Sequence, residues 1–420
     1  MPTLRLGHFD KSRKPDDWLS YLRPYHEGKC KRKSFRGDCN GQWRPPTALD
    51  GTPVTDLQQS LKSLGYLPYG SVDGIFGYRT HAAVILFQEY MRSVAGLAEL
   101  GTPDGLVGPK TRGALQEAMN SNLSCRWTDS SERGDGAWLQ LLNSLREKYR
   151  QDYPVLLPDL FDRDSDTLPP ESWQIDQVPV HIIGIRRKAW AASLAPDGKR
   201  MNNDVFVVIA NGNVMHFFGS TDPNPRMSDR ADGIPFLCKG QHLYRFGFHK
   251  RSNKVKCYRA LRPASHGVRV VRDSDNDKKL SAGDLLDEKA NDTINIHWSG
   301  RGTSNWSAGC QVIGGAVYLD HTDRTIDCWN HAAPSYNRLG KGKGRGAYDL
   351  MFSWITVCSP DITTAGTLPY TLIEEDELNK LAPRLHQSTF SAFREAVKTV
   401  VFHDPEIKKI VKKRAPELLA

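Results

Sequence analysis

Apolar residues recur along this chain with two different periods. Val54, Leu57, Leu61 and Leu64 fall on one face of a helix, and Gly65 ends the run. Ala83, Val84, Phe87 and Met91 form a second stripe of this kind, and Ala114, Leu115 and Ala118 a third. Trp138, Leu141, Leu142, Leu145 and Tyr149 mark another helix, after which Pro154, Pro158, Pro169 and Pro170 break the pattern. The period then shortens, and runs at 178–185, 205–210, 214–218, 242–248, 254–260, 268–272 and 294–298 read as strands. Asn211-Gly212-Asn213 supplies a hairpin turn between two of them. Beyond 370–373 the helical period returns in Phe390, Phe393, Val397 and Val400, followed by a basic stretch at 408–414.

The second and third stripes each follow the same short motif. Asp73-Gly74-Ile75-Phe76-Gly77 with Thr80 returns as Asp104-Gly105-Leu106-Val107-Gly108 with Thr111. Asp-Gly makes a tight turn, the second glycine lets the chain swing into a helix, and the threonine is placed to help satisfy first-turn amides. Two copies and the leading helix make a small three-helix unit. With Leu57-Gln58, Leu64-Gly65-Tyr66 and Phe87-Gln88, this segment resembles the peptidoglycan-binding three-helix domain over residues 54–119. The resemblance implies wall binding, with service as a plain packing unit as the alternative. Residues 3–7 are a candidate lead-in strand for the unit, separated from it by an insertion. The expected organisation is an irregular basic arm (1–50), the three-helix domain (51–120), a helical linker (121–175), a mainly β domain (176–375) and a helical basic tail (376–420). The fold class is therefore α+β and multidomain.

Composition adds bounds. The 420 residues carry 57 Lys and Arg against 48 Asp and Glu, a net charge of +9 that favours an anionic partner such as a wall polymer. The excess is spread along the chain, and no nucleotide-binding loop is present, so nucleic acid is not an expected partner. No apolar run approaches the length of a membrane span, and the first residues lack the features of a secretory signal. A substrate outside the cytoplasm then implies delivery by a specialised secretion system or by phage lysis. The eight cysteines contain no Cys-x-x-Cys pair, which argues against structural zinc. Disulfides involving Cys238, Cys257, Cys328 or Cys358 and reduced, buried thiols both remain open.

The strongest chemical signal lies at 294–313. A strand ends in His297, a polar glycine-rich loop follows, and Ser307-Ala308-Gly309-Cys310 leads into another apolar run. A histidine on an adjacent strand would make Cys310 a usable nucleophile, and the glycine admits a carbonyl group and exposes amides to an oxyanion. The alternative is a core cysteine beside a satisfied strand histidine.

The segment resembles the active-site region of the L,D-transpeptidase family, a strand-end histidine followed by a loop and Ser-x-Gly-Cys. The resemblance covers about residues 176–373 and implies an enzyme that forms a thioester with a peptidoglycan stem peptide. On it, Cys310 is the nucleophile, His297 the base, and the amides of Gly309 and Cys310 the oxyanion donors, with Ser307 completing the catalytic group. Trp298, Ser299, Trp306, Gln311 and Tyr244 are assigned to the substrate groove. Ala308, Gln311-Val312 and Trp298 depart from the family pattern, which leaves open whether the acyl group goes to an amine or to water. Cleavage of the stem or exchange of its terminal D-amino acid, by a secreted antibacterial effector or a lysis enzyme, is the favoured expectation. The alternatives are constructive 3-3 cross-linking and a catalytically silent wall-binding or phage structural protein. Peptidoglycan is the expected partner, joined in the effector case by a secretion apparatus component or an immunity protein, and the site of action is the periplasm or cell wall.

No cofactor is required by this chemistry. Asp273, Asp275, Asp277 and Asp284 sit at the acidic positions of a calcium loop, but Lys278 replaces its glycine, so a solvated acidic turn is the competing reading. The Lys- and Gly-rich stretch 341–346 reads as an exposed loop.

Overall fold

A computed structural model of the chain describes residues 2–13, 47–131, 133–161, 164–176, 178–187, 202–224, 233–250, 258–277, 279–281, 283–303, 305–340, 342–363, 365–405, 408–409 and 412. Most of the expected arm, with Cys30 and Cys39, lies outside the described residues, as do Cys257 and most of the basic stretch at 408–414. Strand β1 (His8–Asp10) pairs in parallel with β2 (Thr47–Leu49), ahead of helices α1 (Pro53–Ser63), α2 (Tyr78–Ser93) and α3 (Pro109–Asn120). Residues 2–13 therefore belong to the three-helix unit, not to an arm. Leu4 bridges to Val107 and Phe9 to Ile75. Asp10 accepts the amides of Val54 and Thr55 at 2.9 and 3.0 Å, so β1 supplies the cap that α1 lacks in its own sequence.

The repeated turns are held identically. The Gln58 amide nitrogen donates to Asp73, to the carbonyl of Ile75 and to the Thr80 hydroxyl, while its oxygen accepts the Gly74 amide. Gln88 makes the same contacts with Asp104, Leu106, Thr111 and Gly105. The threonines thus anchor a glutamine from the preceding helix instead of capping helix amides. Gly74 and Gly105, at φ of 70° and 73°, take the left-handed conformation that this turn demands.

The rest of the chain is built on a closed sheet. After α4 (Gly136–Leu156) come β3 (Thr167–Leu168), β4 (Val180–Arg186), β5 (Asp204–Ala210), β6 (Asn213–Ser220), β7 (Pro235–Leu237), β8 (Gly240–His249) and β9 (Tyr258–Pro263). They are followed by β10 (Val270–Arg272), β11 (Leu285–Leu286), β12 (Ile296–Trp298), β13 (Gln311–Leu319), β14 (Thr325–Asp327), helix α5 (Ala347–Cys358), β15 (Thr367–Glu374) and helices α6 (Glu375–Leu381) and α7 (Pro383–His403). The strand order β12-β9-β8-β15-β4-β5-β6-β13 is closed by direct β12–β13 pairing into a barrel. The hairpin turn between β5 and β6 forms as expected, with Asn211 and Gly212 at positive φ.

Strands β4, β5 and β13 are buried along their whole length, because alternate side chains enter two separate cores. Ile182, Phe206, Val208 and Tyr370 face a core shared with α5 and with the three-helix unit. Ile183, Val205, Val207 and Ile373 face the other, which is covered by Trp138, Leu142 and Tyr149 of α4 and by Phe390 and Phe393 of α7. Two expectations are corrected here. Residues 121–175 are not a linker and 376–403 are not a tail, since both supply layers over the barrel. The sequence run of α5 is apolar apart from a narrow stripe of Asp349, Ser353 and Thr356, and almost all of it is buried.

The three-helix unit is likewise docked, not tethered. The Arg79 guanidinium donates to the carbonyls of Ser359 and Pro360 at the end of α5. The Tyr318 hydroxyl of β13 donates to Glu89 at 2.7 Å, and the Trp354 indole to the carbonyl of Trp127 at 2.7 Å.

Candidate active site

Strand β12 pairs in parallel with β13, with Ile296 opposite Gln311 and His297 opposite Val312. Neighbouring parallel strands need a crossover, and residues 299–310 provide it, returning the chain to the start of β13. Cys310 and Val312 are two residues apart on one strand, so Cys310 and His297 project from the same face of the sheet. One step back along both strands, the Asn295 amide donates to the Cys310 sulfur at 3.4 Å. The thiol donates to the carbonyl of Thr293 at 3.2 Å.

The crossover is fixed from below. Asn305 is fully buried and donates to the Ser220 hydroxyl and the Asp222 carbonyl, while its side-chain oxygen accepts the Ser307 amide at 2.7 Å. The Asn224 amide holds the carbonyl of Ser307 at 2.7 Å. Glycine at 309 is a packing requirement, because a Cβ there would lie 2.8 Å from the Pro235 ring and 3.1 Å from Ile294.

Around His297 the structure assembles groups that the linear pattern does not join. Its Nδ1 lies 2.9 Å from the carbonyl of Trp298 and 3.1 Å from the Tyr258 hydroxyl. Donation from Nδ1 to that carbonyl leaves Nε2 as the basic nitrogen. Tyr258 is a hub: its hydroxyl accepts the Trp298 amide at 3.1 Å and meets the Tyr336 hydroxyl at 3.2 Å. The guanidinium of Arg345 lies 4.6 Å from the Tyr258 ring. The His249 ring stacks on His297 with centroids 3.8 Å apart, and Asn295 Nδ2 lies 3.2 Å from His249 Nδ1. His249 and Tyr258 face each other across the β8–β9 ladder.

This setting keeps both imidazoles neutral. Burial lowers His297 to about 4, reinforced by Lys250 and partly offset by the hydrogen bond to Trp298. His249 is held well below its ordinary range by burial first, then by His297, Lys250 and Arg262. Burial also raises the Cys310 thiol, against the Asn295 amide, the Ser307 hydroxyl and the positive charges of Arg262 and Lys250. Both groups are therefore neutral at rest, and the site holds no thiolate–imidazolium pair.

The expected site residues divide into two groups. Cys310, His297, Ser307 and Gly309 lie together, but the Gly309 amide is occupied by the Ser307 hydroxyl at 3.2 Å, leaving the Cys310 amide without a hydrogen bond among the described residues. Trp306 is 56% exposed beside them. Of the assigned groove residues, Tyr244 is fully buried and donates to the carbonyl of Ile294. Gln311 is fully buried too, with its amide nitrogen on Thr221 and its oxygen taking the Tyr370 hydroxyl. Trp298 packs edge-on to Tyr336 and Tyr258 inside the wall of the site, and Ser299 is buried with its amide on Ile313. None of these four faces solvent. Each alternates to the inner side of the barrel or lies beneath the crossover, which strand adjacency alone does not reveal.

Asp273, Asp275 and Asp277 bring carboxylate oxygens within 4.8 Å of one another. Asp284 stands outside that group, because its two oxygens accept the amides of Ser274 and Ser281 and close the loop. The 341–346 stretch is exposed only in part: Arg345 is buried and paired with Asp349. Cys125, Cys238, Cys328 and Cys358 are buried free thiols, which answers for these four the choice left open by spacing. Among the described residues no helix is long and apolar enough to cross a membrane. On the three-helix unit, Leu4, Leu49, Leu57, Leu115 and Met119 line a groove of about 720 Å³.

Residues 50–115 match the family described as "Putative peptidoglycan binding domain". No curated protein matches the chain. Among solved structures, a fused Zn-dependent amidase/peptidase/peptidoglycan-binding domain-containing protein from Clostridium acetobutylicum is similar at 12% identity, over 77% of this chain and 96% of that one. Its TM-score of 0.23 is too low for an argument about fold or chemistry. Residues 50–115 are thus a peptidoglycan-binding domain, which associates the chain with the cell wall.

Proposed function

We propose that the chain is a cysteine enzyme of L,D-transpeptidase type that acts on peptidoglycan stem peptides. The observation that carries the reading is the placement of His297 and Cys310 on one face of adjacent parallel strands, with Nδ1 tied to a carbonyl and Nε2 left basic. The thiol proton turns from Thr293 towards His297 Nε2 as sulfur attacks the carbonyl carbon preceding the terminal D-amino acid. The Cys310 amide receives the oxyanion. The C–N bond then breaks, His297 returns the proton to the departing amine, and a thioester remains. Water, or the amine of a second D-amino acid, attacks the thioester with His297 again as base and releases the thiol.

The fused peptidoglycan-binding domain supports the wall as substrate, with the groove around Leu57, Leu115 and Met119 as its contact. Cleavage or exchange is favoured over 3-3 cross-linking: Trp298 is buried, which leaves Trp306 as the exposed aromatic of the assigned groove to keep water from an acceptor amine. Incubation with disaccharide tetrapeptide, with and without a free D-amino acid, followed by mass analysis, tests this. Tripeptide or exchanged tetrapeptide is expected, and neither from Cys310→Ala. A dominant cross-linked dimer would assign the chain to constructive transfer, and unchanged muropeptides would refute the enzyme.

A further inference from the structure

The chain holds a second cavity, of about 570 Å³, in the size range of small-ligand sites. It opens beside the His321–Asp323 turn that follows β13, whereas Cys310 directly precedes β13. The two therefore lie at opposite ends of that strand. Trp138 of α4, His216 of β6 and Thr389 of α7 form its inner surface, and Arg126 and Asp323 stand at its margin.

The inner surface carries hydrogen-bonding capacity that the protein does not use. His216 is 6% exposed and neither ring nitrogen has a hydrogen bond; Nδ1 lies 3.6 Å from Asp323, too far for one. Thr389 is 3% exposed with an unpartnered hydroxyl. The buried Trp138 ring lies on the same surface, its centroid 5.9 Å from that of His216. Buried polar groups are almost always paired, so two unpaired side chains on one cavity wall call for a partner that occupies it. Burial holds His216 near a pKa of about 4, so at neutral pH its ring offers one donor and one acceptor and no charge. Arg133 is matched by Asp135, and exposed Arg126 faces the opposite charges of Asp129 and Asp323. The inner surface is neutral, rich in hydrogen bonds and walled on one side by an indole, a set that suits a ring with hydroxyl and amide groups around an apolar face.

We infer that this cavity binds one or two N-acetylated amino-sugar units of the peptidoglycan glycan strand, resting on the reading of the wall as substrate. The glycan is held at one end of β13 while the stem peptide meets Cys310 at the other.

The test is calorimetric titration of the peptide-free N-acetylglucosamine–N-acetylmuramic acid disaccharide into the full chain carrying Cys310→Ala. Saturable binding is expected. Thr389→Val deletes one hydrogen-bonding group with little change of shape, and should weaken binding about fivefold. Gly134→Leu guards against loss of fold: Gly134 lines the cavity, a Cβ there meets nothing within 4 Å, and its φ is not in the left-handed region. This variant should keep the melting temperature and lose the disaccharide. Unchanged affinity in Gly134→Leu would place the sugar elsewhere and overturn the inference, as would absence of binding, which would mean a cavity filled by water only. Failure of the Cys310 chemistry would appear separately, as unchanged muropeptides with the wild-type chain.

Discussion

The electrostatics of the Cys310–His297 pair make a claim about the resting enzyme that chemical labelling can test. The thiol is held above its ordinary value of 9.0 and the imidazole is lowered to about 4, so between these limits neither group is charged. A thiol with a pKa above 9 is less than about 1% ionised at pH 7 and gains about tenfold in thiolate per pH unit. Alkylation of Cys310 by iodoacetamide, read by peptide mass analysis against the four buried thiols, should therefore be slow at pH 6 and rise steeply to beyond pH 8. A thiolate–imidazolium pair would instead react at a plateau across neutral pH. In His297→Ala the alkylation profile should stay within about twofold of wild type, because a neutral ring contributes no charge to stabilise thiolate. Turnover of muropeptides by the same variant should fall about 10²- to 10⁴-fold, the usual contribution of a general base. An alkylation plateau below pH 7 in the wild type, abolished by His297→Ala, would refute the neutral pair.

Three further outcomes follow from the packing. Tyr258→Phe strands the buried Trp298 amide, and should cost about 1–3 kcal/mol in denaturant unfolding while lowering kcat more than Cys310 alkylation; wild-type values for both would remove Tyr258 as a support for His297. His81, His181, His216, His242 and His297 are buried neutral with pKa values of about 3 to 4 against 6.5, so their stabilisation is complete above 6.5 and is lost as pH falls towards 4. At about 2 kcal/mol each by pH 5, their sum matches a typical domain's whole stability, and circular dichroism should show unfolding near pH 5; a full native signal at pH 4 would contradict it. A chain lacking residues 1–125 should be insoluble or melt without cooperativity, since the barrel core shared with α2 and α5 would be opened; a soluble, cooperatively folded fragment would show that the domain is dispensable for the fold.

Much of the site was legible in the sequence because its chemistry is local. His297 lies near the end of one strand, Cys310 just before the next, and a glycine-rich crossover joins them. The twin Asp-Gly turns were legible for the same reason, each being a complete unit within a dozen residues. His249 and Tyr258 were not, because they reach His297 only through the β8–β9 and β9–β12 pairings. Period-2 patterns identify strands but not their neighbours. Gln311 and Tyr244, assigned to the groove from the sequence, are both fully buried, because strand alternation turns them inward. Helix α5 was missed because its polar face, Asp349, Ser353 and Thr356, is narrow within a run that is otherwise apolar.

The burial of α2 and α5 also changes what the peptidoglycan-binding domain does. A domain on a linker raises the local concentration of substrate without dictating its orientation. Here Arg79 is anchored on the last carbonyls of α5, Glu89 receives the Tyr318 hydroxyl, and both helices lie in one continuous apolar core. The same α5 packs against β13, the strand that begins just after Cys310. Groove and thiol are therefore held at a fixed distance and angle, and on the proposed reading wall bound at Leu57 and Met119 would present its stems to Cys310 from one direction only. On the proposed reading this favours stems of a strand already engaged by the domain, and it makes the separation between anchor and scissile bond a determinant of specificity. Soluble stems too short to span the two lose that orientation, so their deficit belongs in kcat/KM and not in the chemical step measured at saturation.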